Sequence, residues 1–281
     1  MNRTFKYLVL LIGLILLSCT DVIEVEVPYA GSRLVIEASL DWEKGSFGNR
    51  QTIKLSESIP YFDTTTSDIV TGASVKVISD LDGKIVEFVD QNDGNYTTLS
   101  FRPIPNGTYT LEVVYKGETY IAIETLKPVV DILDVNRSTQ NGFDKNAIEV
   151  NIYFDDPAEV ENYYLVSFQA QDDLFPALLD ISDEFTNGNE ITVFYEKIEN
   201  DRTGETELQP GDVVDIELYG VSKTYFNYIR LLIEQSASRG DPFSSVPAPL
   251  KGNCANLNNP DNFAYGYFRL TQVDRITYVI P

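Results

Sequence analysis

The sequence predicts a mainly β protein made of two successive β-rich blocks. Three observations predict it. The chain of 281 residues carries 17 Tyr and 15 Phe against one Trp and one Met, and aromatic and β-branched side chains fit a pleated, half-buried surface. Short stretches alternate apolar and polar residues with the period of two that a strand imposes. Turn residues recur roughly every 8–12 positions, the spacing of sandwiches and barrels. The length suits two ordinary domains better than one small sandwich.

In the first block, Arg33–Leu40 (RLVIEASL), Thr52–Ser56 and Ala73–Ser79 read as strands. Asp80-Leu81-Asp82-Gly83 then turns the chain into Lys84–Val89. Asp93-Gly94-Asn95 precedes Tyr96–Phe101, Pro105-Asn106-Gly107 precedes Thr108–Tyr115, and Lys116-Gly117 precedes Glu118–Thr125. Seven short strands over 32–128 predict an immunoglobulin- or transthyretin-like β-sandwich. The Thr/Asp-rich stretch Tyr61–Val70 reads as a long loop, of the kind that often carries recognition.

Pro128 marks a boundary, and a second β-rich sandwich or barrel-like domain is expected over 129–281. Its strands are Ala147–Phe154, Tyr163–Ala170, Glu190–Glu196 and Val213–Tyr219. Asp172–Gly188 reads as irregular, a short helix or loop holding Leu174, Phe175, Leu178 and Leu179 over the sheet. One helix is expected at about 223–238, with Ser222 as N-cap and Tyr225, Phe226, Ile229, Leu232 and Ile233 at helical spacing. Asp241–Asn262 reads as an extended loop. Phe263–Gln272 and Arg275–Ile280 close the chain as two strands, a hairpin through Val273-Asp274. Trp42 falls just past the first strand, where an exposed aromatic platform for a glycan could sit.

The first eighteen residues read as an export signal: Arg3 and Lys6, the apolar run YLVLLIGLILL, then Ser18. The run is about half of what spans a bilayer. Leu16-Leu17-Ser18-Cys19 resembles a bacterial lipobox. That resemblance implies cleavage before Cys19, lipidation of its thiol and a tether over 19–31. Several acyl chains anchor firmly, since each buried CH₂ contributes about 0.8 kcal/mol. Thr20, not Asp, follows the cysteine, and Asp21, Glu24 and Glu26 make the tether acidic. In lipoproteins these features imply the outer membrane, at the cell surface or on the periplasmic face.

Charge and composition exclude several function classes. A net charge of −22 repels phosphate backbones, so no nucleic-acid partner is expected. The chain has no histidine. Ser–His–Asp, Cys–His and His–metal chemistry therefore fall away. Cys254 has no second cysteine to pair with once Cys19 is lipidated. The turns at Asp80/Asp82 and Asp90/Asn92/Asp93 miss the spacing of a Ca²⁺ loop. No metal and no cofactor is expected. Asp172-Asp173 with Asp180, Asp183 and Glu184 form a denser acidic patch that a cation or a basic partner could use.

The ordered motifs resemble one family. They are LVIEASL, Gly72-Ala73-x-Val75, Gly94-x-Tyr96, Gly107-x-Tyr109-x-Leu111, Tyr120-x-Ala122, Gly211-Asp212, a Tyr-rich helix, Asp241-Pro242-Phe243, Pro247, Asn253 and Gly266-Tyr267-Phe268. Over almost the whole chain they resemble the Bacteroidota lipoprotein family called domain of unknown function 4249. Its members look like companions of TonB-dependent outer-membrane receptors, and the family brings no catalytic residues to carry over. The resemblance implies a non-catalytic accessory lipoprotein that binds a receptor or ligand. An independent glycan- or peptide-binding module is the alternative, and a carboxylate-pair hydrolase a third reading. Phe243, held between Pro242 and Pro247, is the candidate contact residue.

Overall fold

The computed structural model describes residues 31–60, 68–197, 206–237 and 250–281. The predicted sites Cys19, Pro242, Phe243 and Pro247, and most of the Tyr61–Val70 loop, lie outside the described residues.

The first block supplies seven strands: β1 (Leu34–Glu43), β2 (Gln51–Glu57), β3 (Ser74–Ser79), β4 (Ile85–Asp90), β5 (Asn95–Thr98), β6 (Thr108–Tyr115) and β7 (Glu118–Thr125). In β6 Tyr109, Leu111 and Val113 are buried and the residues between them are not, the mark of a strand with one face on a core. Strand β4 pairs with β3 through Ile85–Phe88 and with β5 through Val89 and Asp90. It thus turns the corner between two layers. Between them lies a core that includes Ile36, Leu40, Ile53, Leu55, Tyr96 and Leu111.

The rest comprises β8 (Asp134–Ser138), β9 (Glu149–Asp155), β10 (Tyr163–Ala170), β11 (Ala177–Ser182), β12 (Glu190–Glu196), β13 (Val213–Gly220), helix α1 (Lys223–Ala237), β14 (Ala255–Asn256) and β15 (Tyr265–Val279). Twelve strands run in the order β11-β10-β13-β15-β1-β2-β5-β4-β3-β6-β7-β14, and β12-β9-β8 form a separate sheet. A second core, with Ile152, Phe154, Val166, Phe168, Val193 and Ile216, fills the space between the small sheet and the β10–β13 region.

The two closing strands expected around a Val273-Asp274 hairpin are one strand of 15 residues. Val273 is fully buried and pairs with Glu43 on one side and Tyr219 on the other. Asp274 accepts the Ile132 amide at 2.8 Å. The amino half of β15 lies parallel to β1 from Val35↔Tyr265 to Glu43↔Val273, and its carboxyl half lies antiparallel to β13. Phe268 and Leu270 enter the first core, together with Cys254 and Ala264, while Tyr278 and Ile280 belong to the second. Residues well beyond Pro128 therefore complete the first sandwich.

The segment expected to be irregular holds β11. Leu178 and Leu179 are neighbours that face opposite layers: one packs under α1, the other on the second core. Adjacent apolar residues hide the period of two. Strand β8, DVNRS, is polar and carries no apolar alternation that would mark it in the sequence. Trp42 lies inside β1, half-buried against the first core, with its indole N–H donating to the Ser46 carbonyl at 3.0 Å. It is not an exposed platform.

Helix α1 starts where expected. The Ser222 hydroxyl accepts the Tyr225 amide at 3.2 Å and donates to Glu124 of β7 at 3.1 Å. Burial pushes the Glu124 carboxyl above the ordinary range. Tyr225, Phe226 and Ile229 pack on Leu165, Tyr219, Tyr267 and Val273. Leu232 is exposed, so the buried stripe is narrower than its spacing implied.

Candidate functional site

On a pleated strand, residues two apart share a face. The outward face of β1, β10, β13 and β15 carries Glu43, Ser167, Gln169, Asp215, Glu217, Arg275 and Thr277. They line an open groove of about 490 Å³ with Ile216 and Ile276. That volume lies within the range of small-molecule sites.

The sheet register sets the geometry. Glu217 lies opposite Arg275, and Asp215 opposite Thr277. Ser167 lies opposite Glu217 on the other flank. The Arg275 Nε donates to Glu217 at 2.7 Å, and its second nitrogen donates to Glu43 at 2.9 Å. The Thr277 hydroxyl donates to Asp215 at 2.6 Å. Glu43 pairs with Val273, so Arg275 reaches it along a cross-strand diagonal, a span suited to a long side chain.

Beneath the helix the network continues inward. The Tyr219 hydroxyl donates to Glu217. Its ring lies 4.8 Å from the Arg269 guanidinium, which Tyr225 faces at 5.1 Å. Arg269 bonds Asp41 at 2.7 Å, and its side chain is only 8% exposed. The groove floor is thus anchored to the pair of buried Arg269 with half-buried Asp41, at the junction of β1, β13, β15 and α1. Three carboxylates face one guanidinium in the groove. It offers hydroxyl, amide and guanidinium donors beside carboxylate acceptors, a lining suited to a polar or cationic ligand.

The predicted acidic patch is mostly used within the fold. Asp173 is bonded to Lys197 and to the Tyr195 hydroxyl. Asp180 binds Arg230 at 2.7 Å. Asp183 is buried and accepts the Asn162 amide at 2.8 Å. Only Asp172 and Glu184 stay exposed. At the turns, Asp82, Asp90 and Asp93 accept the amides of Lys84, Asn92 and Asn95. Among the described residues no three potential ligands cluster to hold a metal ion.

The model of the family described as domain of unknown function (DUF4249) matches residues 20–277. The chain is a DUF4249 protein. No curated protein matches it. Among solved structures, the DUF4249 chain is similar to a two fibronectin type-III domain segment from chicken tenascin, at 12% identity and a TM-score of 0.21, over 60% of this chain and 83% of that one. It is similar to a cytokine receptor complex at 11% identity and a TM-score of 0.27, over 68% and 92%. It is also similar to a DUF4785 family protein from Legionella pneumophila at 10% identity and a TM-score of 0.27, over 66% and 52%. At these scores the likenesses carry no functional argument.

In this DUF4249 chain the motif residues build scaffold. The Tyr96 hydroxyl accepts the Ala73 amide and donates to the Val70 carbonyl, each at 3.1 Å. Tyr109 accepts the Ile104 amide at 3.0 Å and donates to the Arg102 carbonyl at 2.8 Å. The Asn253 side chain pairs with both backbone groups of Phe268 at 2.8 Å. A Cβ on Gly252 would stand 1.5 Å from the Gly266 oxygen, and one on Gly266 would stand 2.2 Å from the Ile36 oxygen. Three backbones therefore stack at β1, β15 and the loop before β14. The described half of the Asp241–Asn262 loop is structural, since Ala255–Asn256 pairs with β7.

Cys254 is buried in the first core, and burial pushes its thiol up to about 12. The thiolate is the reactive form. In native protein at pH 8, Cys254 is therefore expected to resist iodoacetamide for hours and to react within minutes in urea. Fast native alkylation, followed by mass spectrometry, would show that the site opens.

The groove residues were missed for a physical reason. They come from four strands spread from Glu43 to Thr277. Val213–Tyr219 and Arg275–Ile280 read as strands from their own residues, but nothing local reveals which strands lie side by side.

Proposed function

We propose that this DUF4249 chain is a non-catalytic binding protein, lipid-anchored to the outer membrane through Cys19, that serves as an accessory of a TonB-dependent receptor. The anchor rests on the signal and lipobox pattern, and the receptor on what the family resemblance implies. The observation that supports binding is the polar groove, preorganised on paired strands and tied to the Asp41–Arg269 ion pair. Arg275 is ion-paired to both Glu217 and Glu43. A carboxylate-pair hydrolase needs two carboxyl groups that face the substrate, and the engagement of these two with one guanidinium disfavours that reading. The chain also lacks histidine. Glycan binding in the same groove is the second reading, favoured by its mixture of donors and acceptors.

The test is a native pull-down of tagged full-length protein from solubilised outer membrane. A TonB-dependent receptor should co-purify with the wild type. Recovery should fall about tenfold with Glu217→Gln/Arg275→Ala, as truncation of a charged contact costs about 2 kcal/mol or more. The pairs are partly exposed, so the variant should lose only about 1 kcal/mol of stability per pair. Cys19→Ala should abolish acyl labelling and membrane association. A wild type that recovers no receptor, while a glycan array gives a hit that the groove variant loses, would replace the receptor reading with the glycan one.

A further inference from the structure

Sheet edges present unpaired backbone groups, and natural proteins blunt them with short strands, charges or proline. Among the described residues, four strands form the edges: β11 and β14 of the large sheet, β12 and β8 of the small one. Three are blunted. Strand β14 has two residues. Strand β8 carries Asp134 and Arg137, and β12 begins and ends on Glu190 and Glu196. Strand β11 reads ALLDIS. Between its ends it has no lysine and no proline, Pro176 standing just before its first residue, and its one charge, Asp180, is already bonded to Arg230.

The burial of β11 fits an open edge. All six residues are half-buried, as expected where both faces are covered and one margin is left. Leu179 and Ile181 face the second core, and Leu178 faces the helix side. Each end of the strand carries exposed apolar side chains. Leu174 and Phe175 precede it at 84% and 81% exposure, and Phe185 follows it at 91%. Beside them stand the exposed carboxylates Asp172 and Glu184. One exposed aromatic ring thus stands at each end of the strand, where the two ends of an added strand would lie.

We propose that β11 is a docking edge to which an extended segment of a partner protein adds as a further strand, apolar in its middle and basic toward its ends. The proposal deepens the reading of this chain as a binding protein, and rests on that reading. Main-chain hydrogen bonds would supply affinity, and the flanking aromatics would supply anchors. Six residues span about 20 Å, so about eight partner residues suffice. Asp172 and Glu184 favour Lys or Arg at the partner's ends. A net charge of −22 on each copy opposes self-pairing and favours a basic partner.

The probe is a capped octapeptide of alternating valine and threonine with lysine at each end, titrated onto the full-length protein. Binding is read by calorimetry, and amide exchange locates it. The peptide should bind at micromolar levels and slow exchange of the 177–182 amides about tenfold. A peptide with glutamate ends, or one N-methylated at alternate amides, should bind at least tenfold more weakly. So should wild-type peptide on Phe175→Ser/Phe185→Ser, whose exposed sites leave the fold intact. The proposal is overturned if the lysine peptide does not bind, if the N-methylated peptide binds equally, or if protection maps elsewhere. It is also overturned if the 177–182 amides are already as slow as those of β10 in the free protein, or if sedimentation shows a homodimer closed through this edge. Receptor recovery that depends on Arg275 but not on Phe175 or Phe185 would sink the edge alone and leave the proposed function standing.

Discussion

Replacing Gly266 with alanine is expected to cost roughly 3 kcal/mol or more, and to lower the melting temperature by about 6–12 °C. Two effects add. Gly266 has φ +84°, where a side chain is strained, and its Cβ would stand 2.2 Å from the Ile36 carbonyl oxygen. That oxygen belongs to the residue opposite Gly266 in the parallel ladder of β1 and β15. Gly117 is the control: it has φ +80° and nothing within 4 Å of an added Cβ. Gly117→Ala should cost only about 1 kcal/mol. Urea unfolding of both variants separates strain from collision. Equal losses would mean that the strands part to make room.

Asp41→Ala is expected to cost about 3–5 kcal/mol, because it strands the Arg269 guanidinium in the interior. Arg269 has few substitutes for that partner. Tyr225 offers a hydroxyl at 3.3 Å, and the Nε has no acceptor. Removing both charges should be milder. Asp41→Leu/Arg269→Met should regain most of the loss, as apolar replacement of a buried pair is often near neutral. Denaturant midpoints for the single and double variants give the coupling directly. A loss below about 1 kcal/mol for Asp41→Ala would mean that water reaches the guanidinium.

Local pattern carried most of the first sandwich. Strands such as β6, TYTLEVVY, bury one face and leave the other half-exposed, so alternation reports them. It fails where a strand changes what it covers. Along β15, Phe268 and Leu270 serve one core, Val273 lies beneath the helix and Tyr278 serves the other core. Read locally, that looks like two strands with a turn. It fails in β11, where both faces are partly covered and consecutive leucines erase the alternation. The pairing of β1 with β15 joins residues more than two hundred positions apart. No neighbouring residue encodes it, and the groove and the Asp41–Arg269 pair both depend on it. The family motifs were legible because they are local: Tyr96 and Tyr109 fasten loops within about thirty residues of themselves.

The parallel seam also has a mechanical meaning. Leu34 opens β1 at one end of the nine-pair ladder, and the half of β15 that pairs with β13 leaves from the other. A molecule held at its amino end and tugged at the far end of the second sandwich would slide these strands along one another. In that direction the rungs share the load and must fail together. Antiparallel strands pulled from a common end would unzip rung by rung under much smaller forces. A tether at the amino end, drawn taut by a moving partner, would thus meet its resistance in the strand that belongs to both cores.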